Sequence, residues 1–200
     1  MNESLTAITD FLIVLESSFF CYLIFSTTPK TPNIYLWAFF FLFIALGAFL
    51  GSLYHGFSWD NMPLIWKGVN FTLVIAFTLL PLALYSFKEP YLPFWCYYIA
   101  VGVLCLALWT VFLGSSQFLH LLIYEVFSLG LCLMLAYHLF SLGFKQLSIL
   151  FFIGFVVSAI AALLQIFKVR LGSLGHNDVF HIVEMVALLF FFLAWKFTYK

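Results

Sequence analysis

Two stretches far apart in the chain carry the residues best suited to chemistry. Gly51-Ser52-Leu53-Tyr54-His55 is followed by Asp60-Asn61-Met62-Pro63, and His176-Asn177-Asp178-Val179-Phe180-His181 is followed by Glu184. Histidines from separated elements, completed by a carboxylate or a third imidazole and leaving one position for water, form the donor set of a catalytic zinc ion. His55 and His181 are the constant members of that set. His176 stands five residues before His181, an offset of roughly 140° on a continuous helix, so it reaches the same site only from a non-helical first turn. Asp178 and Glu184 stand three residues either side of His181 and Asn177 four before it, so all can share its face. Ser52, three before His55, supplies a hydroxyl.

The elements that must position these groups follow from composition. Of 200 residues, 66% are hydrophobic and 8% charged, against roughly 25% charged in a soluble domain. The mean hydropathy is +1.15. At about 20 residues per crossing, the chain has room for seven helices as one membrane domain. The expected fold is all-α, a polytopic bundle of seven transmembrane helices at about 8–27, 34–56, 63–86, 92–113, 117–140, 146–168 and 178–197. Pro, Gly and charge clusters punctuate the runs, as in Thr28-Pro29-Lys30-Thr31-Pro32, Lys88-Glu89-Pro90 and Gly172-Ser173-Leu174-Gly175. A membrane barrel needs alternating strands of about ten residues, and the run from Ile34 to Leu53 shows no such alternation.

The start of the chain lacks a basic stretch, so the first segment is expected to stay as a helix. Cys21, Cys96, Cys105 and Cys132 all fall inside predicted spans without CxxC spacing, and read as buried apolar residues. A formal net charge of zero with no basic run gives no reason for a nucleic-acid partner. With seven crossings, Lys30, Lys88, Lys145, Lys196 and Lys200 share the C-terminal side, and Lys67, Lys168 and Arg170 the other. The bias places the N-terminus outside and the C-terminus in the cytoplasm, and the expected location is a bacterial inner membrane. Trp37, Trp95 and Trp195 near one boundary and Trp59, Trp66 and Trp109 near the other suit two aromatic belts.

On this threading the polar residues gather in one half. Asp10 and Glu16 of the first segment, Ser52 and His55, Asp60 and Asn70, His120 and Glu125, Gln165, and then His176 to Glu184 all lie toward the N-terminal side. The other half offers little beyond His138. Buried ionisable groups in a membrane are expensive and face an interior cavity or one another, so the expected feature is a polar cavity holding Glu16, His120, Glu125, Asn177 and Glu184. Asp60-Asn61 and Asn177-Asp178 equally suit helix N-caps.

The motifs at 51–55, 60–63 and 177–181 resemble those of the CREST superfamily of seven-helix membrane hydrolases, which includes alkaline ceramidases and progestin–adiponectin receptors. Its members carry a Ser and a His near the end of the second helix, an Asp at or before the third and an HxxxH pair in the seventh, the three His binding zinc. Here Ser52 stands one residue closer to the His, leaving Gly51 at the family's serine position. Asn177 falls at the first place of the HxxxH pair, so His176 or Asp178 substitutes if a metal binds. The resemblance implies zinc on His55 and His181 with His176 or Asp178, Asp60 or Asp178 moving the proton of the zinc-bound water, and Ser52 donating to an oxyanion. The acidic cluster that binds calcium in ceramidases is missing.

The implied activity is hydrolysis of a lipid amide, the membrane lipid arriving laterally as substrate. Two other classes fit the composition. A proton-coupled transporter or channel would use Glu16, Glu125, Glu184 and the histidines as a relay, and requires a polar route continuing to the C-terminal side. A seven-helix sensor or structural subunit would use the polar cluster for ligand binding or helix association, and requires a protein partner.

Overall fold

The computed structural model describes residues 4–27, 31–57, 62–87 and 118–197. Among them are six helices: α1 (Ser4–Phe25), α2 (Pro32–Gly56), α3 (Met62–Tyr85), α4 (Phe118–Ser141), α5 (Lys145–Ile166) and α6 (His176–Lys196). Each contains a stretch long and apolar enough to cross a membrane. The expected segment at 92–113 lies outside the described residues. The described residues contain no strand, only an isolated bridge between Leu171 and Leu174. An apolar run far from water satisfies its backbone N–H and C=O groups internally, and the α-helix does so within one segment.

Boundaries follow the punctuation in the sequence. Pro32 occupies the first turn of α2, where a missing N–H breaks no bond. The turn from α4 to α5 passes through Gly143 at φ +98°, and the turn into α6 through Gly172 at φ +60°, both in the left-handed region that glycine enters without a Cβ penalty. Helix α1 begins four residues earlier than expected because its threonines do not compete with it. Thr9 donates to the Thr6 carbonyl at 2.9 Å within the helix, and Thr6 donates to Asp178 at 2.8 Å across to α6.

The helices form a closed circuit, each packed on its chain neighbour and α6 returning onto α1. Three pairs fix the register of α1 and α6. Thr6 meets Asp178 and Thr9 meets His181, both at a separation of 172 residues, and Phe20 stacks on Phe192 at 4.3 Å with the same spacing. A constant difference means parallel helices. Helices α1 and α2 run antiparallel, through Ser52 on Ala7 at the chemical end and Phe41 on Phe20 further along. Helices α5 and α6 are also antiparallel, through Gln165 with Asn177 and Ser158 with Glu184. Helices α3 and α4 run parallel: Val74 packs with Leu121, Thr78 shares a hydrogen bond with Tyr124, and Ser128 donates to the Phe77 carbonyl.

Close packing relies on missing side chains at two crossings. A Cβ on Gly47 would stand 2.9 Å from Leu73, and one on Gly154 would stand 2.8 Å from the Phe191 ring. The half of the bundle remote from His55 and His181 is filled by Trp37, Phe40, Phe41, Phe151, Phe191 and Trp195, all buried. Trp37 and Trp195 are buried in the core, and Trp66 is partly buried and lines the interior; Trp59, Trp95 and Trp109 lie outside the described residues. Cys21 and Cys132 are buried as expected, and Cys96 and Cys105 lie outside the described residues. The outer face of α1 exposes Ile8, Phe11, Leu15, Phe19 and Tyr22, the pattern of a helix facing lipid.

Candidate functional site

A cavity of about 310 Å³ opens inside the bundle, and all six helices line it. Helix α1 contributes Asp10 and Ile13, α2 contributes Gly51 and His55, and α3 contributes Trp66. From the other side come Glu125 of α4, Gln165 of α5, and Asn177, His181 and Glu184 of α6. Opposite chain ends meet here because α1 and α6 lie parallel and in register.

The central pair is Asp10 and His181. Asp10 Oδ1 lies 3.3 Å from His181 Nε2, with side-chain exposures of 8% and 12%. The other ring nitrogen, Nδ1, lies 2.9 Å from Thr9 Oγ1. The Thr9 hydroxyl has one hydrogen and also stands 2.9 Å from the Thr6 carbonyl. With that hydrogen on Thr6, Thr9 accepts from His181 Nδ1–H, and a neutral imidazole then carries its lone pair on Nε2. Nε2 and Oδ1 are then bridged by one proton, carried on the carboxyl or on the imidazole, or by a cation held between them.

A metal ion fits this pair. Two ligands at about 2.0–2.1 Å from a tetrahedral ion are about 3.3 Å apart, whereas a charge-assisted N–H···O bond closes to about 2.7–2.9 Å. Asp10 Oδ2 is buried and has no hydrogen-bond partner among the described residues. His55 lines the same cavity and packs edge-on against Tyr54. Among the described residues, however, no three His, Cys, Asp or Glu side chains are clustered closely enough to hold a metal. Asp10 and His181 are thus a pair of candidate donors, and His55 is a further imidazole on the cavity wall.

Asp10 has its place because position 51 is glycine. A Cβ there would stand 3.0 Å from Asp10 Oδ2 and 3.1 Å from Oδ1. Glycine at this position leaves the space that a carboxylate from α1 fills.

Beyond this pair lies a layer of carboxylates. Ser158 Oγ stands 2.9 and 3.1 Å from the two oxygens of Glu184, and 3.5 Å from Glu125 Oε1. Glu16 is half-buried nearby on α1, and its Oε2 has no partner among the described residues. At the mouth, Gln165 Nε2 donates to Asn177 Oδ1 at 2.7 Å.

Other expected site residues are used elsewhere. Ser52 Oγ donates to the Ala7 carbonyl at 3.0 Å, tying α2 to α1, and does not line the cavity. Asp178 is 3% exposed and accepts from Thr6 Oγ1 at 2.8 Å and from the Gly175 N–H at 2.7 Å. Three residues into α6, it caps the helix and stands apart from the cavity. His176 opens α6 away from the cavity lining, with Nδ1 buried and unpartnered among the described residues. Asp60 and the side chain of His120 lie outside the described residues. His138 is exposed at the far end of α4.

Sequence reasoning placed Asp10 in the polar half but gave it no role, and it passed over Thr6, Thr9 and Ser158. A signal for the first three was present. Thr6, Thr9 and Asp10 fall at i, i+3 and i+4 on an otherwise apolar helix, which sets a polar stripe on one face. No curated protein and no solved structure matches the chain. Residues 5–199 do match a family model, and the chain belongs to the family of unknown function DUF6962.

Proposed function

We propose that this protein is a membrane-embedded, zinc-dependent hydrolase that cleaves the amide bond of a lipid. The observation that carries the proposal is the placement of Asp10 Oδ1 3.3 Å from His181 Nε2 in a cavity that His55 also lines. A divalent cation would take these two donors, with His55 on the same cavity wall as the candidate third. Zinc held there would activate a water and polarise a carbonyl. Thr9 fixes the His181 ring and its tautomer, as an outer partner does for a ligating imidazole. Asp60, expected as the proton acceptor, belongs to this reading through the resemblance alone. Apolar walls and an apolar outer surface suit a substrate that arrives from the lipid phase.

The reading includes seven crossings. Helices α3 and α4 both begin at the cavity end and pack parallel, which supports that count. The lysine distribution supports an outside N-terminus and a cytoplasmic C-terminus in a bacterial inner membrane. A channel or transporter is less well supported: among the described residues, the buried Phe40, Phe41, Phe151 and Phe191 pack together on the far side of the carboxylates.

The test is elemental analysis of detergent-purified protein beside Asp10→Asn, His55→Ala and His181→Ala, with a screen of lipid amides. Stoichiometric zinc in the wild type, reduced in each folded variant together with hydrolysis, is the expected result. A folded wild type without metal and without amide hydrolysis overturns the proposal.

A further inference from the structure

The loop from α5 to α6 lies at the cavity end of the bundle, and apolar and cationic residues alternate along it as Phe167-Lys168-Val169-Arg170-Leu171. It leaves α5 one residue after Gln165 and enters α6 one residue before Asn177, the two side chains that meet at the cavity mouth. Its backbone is paired. The Lys168 and Val169 N–H groups donate to the Gln165 and Leu164 carbonyls at 3.1 and 3.0 Å, and Leu171 and Leu174 exchange two hydrogen bonds at 3.2 and 3.0 Å. Lys168, at φ +50°, marks the point where the chain turns off the helix. The side chains of this loop face outward. Ile166, Phe167 and Leu171 are 53%, 73% and 59% exposed, with Lys168 and Arg170 exposed beside them.

Bulk water would leave these large apolar side chains hydrated, and hydrocarbon would strip water from the two cations. The head-group boundary of a bilayer suits both, since apolar side chains enter the acyl region while Lys and Arg reach the phosphates. The charge at this end is also one-sided. Lys67, in the first turns of α3, joins Lys168 and Arg170 there, and no Asp or Glu is exposed among the described residues.

We propose that the α5–α6 loop binds an anionic phospholipid of the leaflet on the cavity side, holding its head group beside the cavity mouth. Lys168 and Arg170 take the phosphate, Arg through the paired N–H groups of its planar guanidinium, and Phe167 and Leu171 enter the acyl region. Because the apolar and cationic residues alternate within one short loop, the ligand that satisfies both is a lipid in its bilayer rather than a free anion. The proposal stands apart from the hydrolase reading and uses neither its metal nor its substrate.

The test titrates the full-length protein in detergent with phosphatidylglycerol and with phosphatidylcholine, and counts bound lipid by native mass spectrometry. A basic side chain near an anionic lipid surface is worth roughly fivefold in affinity, so the two together are expected to favour phosphatidylglycerol by about tenfold or more. The Lys168→Gln/Arg170→Gln variant is expected to lose that preference, whereas Lys145→Gln/Lys196→Gln, which removes the same charge at the opposite end, keeps it. Equal binding of the two lipids by the wild type overturns the proposal, as does a preference that survives the loop substitutions or is lost equally in both variants. Inorganic phosphate is added as competitor and is expected not to displace the lipid; displacement would make this a free-phosphate site and overturn the lipid assignment. Should the loop double variant fail to fold by gel filtration, Lys168→Gly decides, because glycine adopts φ +50° freely. It must lower phosphatidylglycerol affinity about fivefold while leaving phosphatidylcholine unchanged, and an unchanged ratio of the two overturns the proposal.

Discussion

Asp10 and His181 belong to helices at opposite ends of the chain, yet Asp10 Oδ1 and His181 Nε2 stand 3.3 Å apart. Their meeting depends on the parallel register of α1 and α6, which the Thr6–Asp178 bond fixes one turn away and the Phe20–Phe192 stack fixes at the other end. The chemistry of the site and the closure of the bundle are therefore parts of one interface.

Gly51→Ala tests whether the space at position 51 holds Asp10 in place. The added methyl would stand 3.0 to 3.2 Å from the carboxylate, which has to move. Metal content and any lipid-amide activity are expected to fall sharply, with a stability loss of about 1–3 kcal/mol as for other overpacked sites. Elemental analysis together with thermal unfolding in detergent measures both, and unchanged metal content would remove Asp10 from the proposed donor set.

Thr9→Val removes the acceptor on His181 Nδ1 while keeping the shape of the side chain. Loss of an outer partner typically weakens metal binding by about 10–100-fold. Zinc affinity by competition with a chelating dye is expected to drop within that range while the fold is kept. An affinity within a factor of about two of wild type would place Thr9 outside the metal site.

Asp178→Ala separates a capping carboxylate from a reacting one. Its oxygens are taken by Thr6 and the Gly175 N–H. The expected result is a loss of about 1–2 kcal/mol in stability, the range of a removed cap, with zinc content per folded molecule unchanged. Loss of zinc from folded protein would return Asp178 to the ligand set that the resemblance offered.

Gly154→Ala is expected to destabilise the bundle without touching the chemistry. Its Cβ would stand 2.8 Å from the Phe191 ring, and that ring is 1% exposed and packed against Phe151 at 4.9 Å, so it has no room to retreat. A lowered melting temperature with normal zinc stoichiometry is the expected outcome, at a cost of about 1–3 kcal/mol.

Local chemistry alone determined a good part of this protein. Long apolar runs dictate helices, because a backbone removed from water must satisfy itself. Pro and Gly mark the turns, and the one-sided placement of His, Asp and Glu marks an interior cavity at one end. His55, His181, Glu125, Asn177 and Glu184 do line it. The tertiary structure decided which of these groups face one another. Sequence spacing ranks neighbours on one helix, but Asp10 meets His181 only through the interhelical register, and register depends on side-chain shapes along the whole contact. The packing of α2 on α1 takes Ser52 to a backbone carbonyl, and Asp178 caps its own helix, as its position in the sequence allowed, so polar groups of the right type are consumed by folding before chemistry can use them.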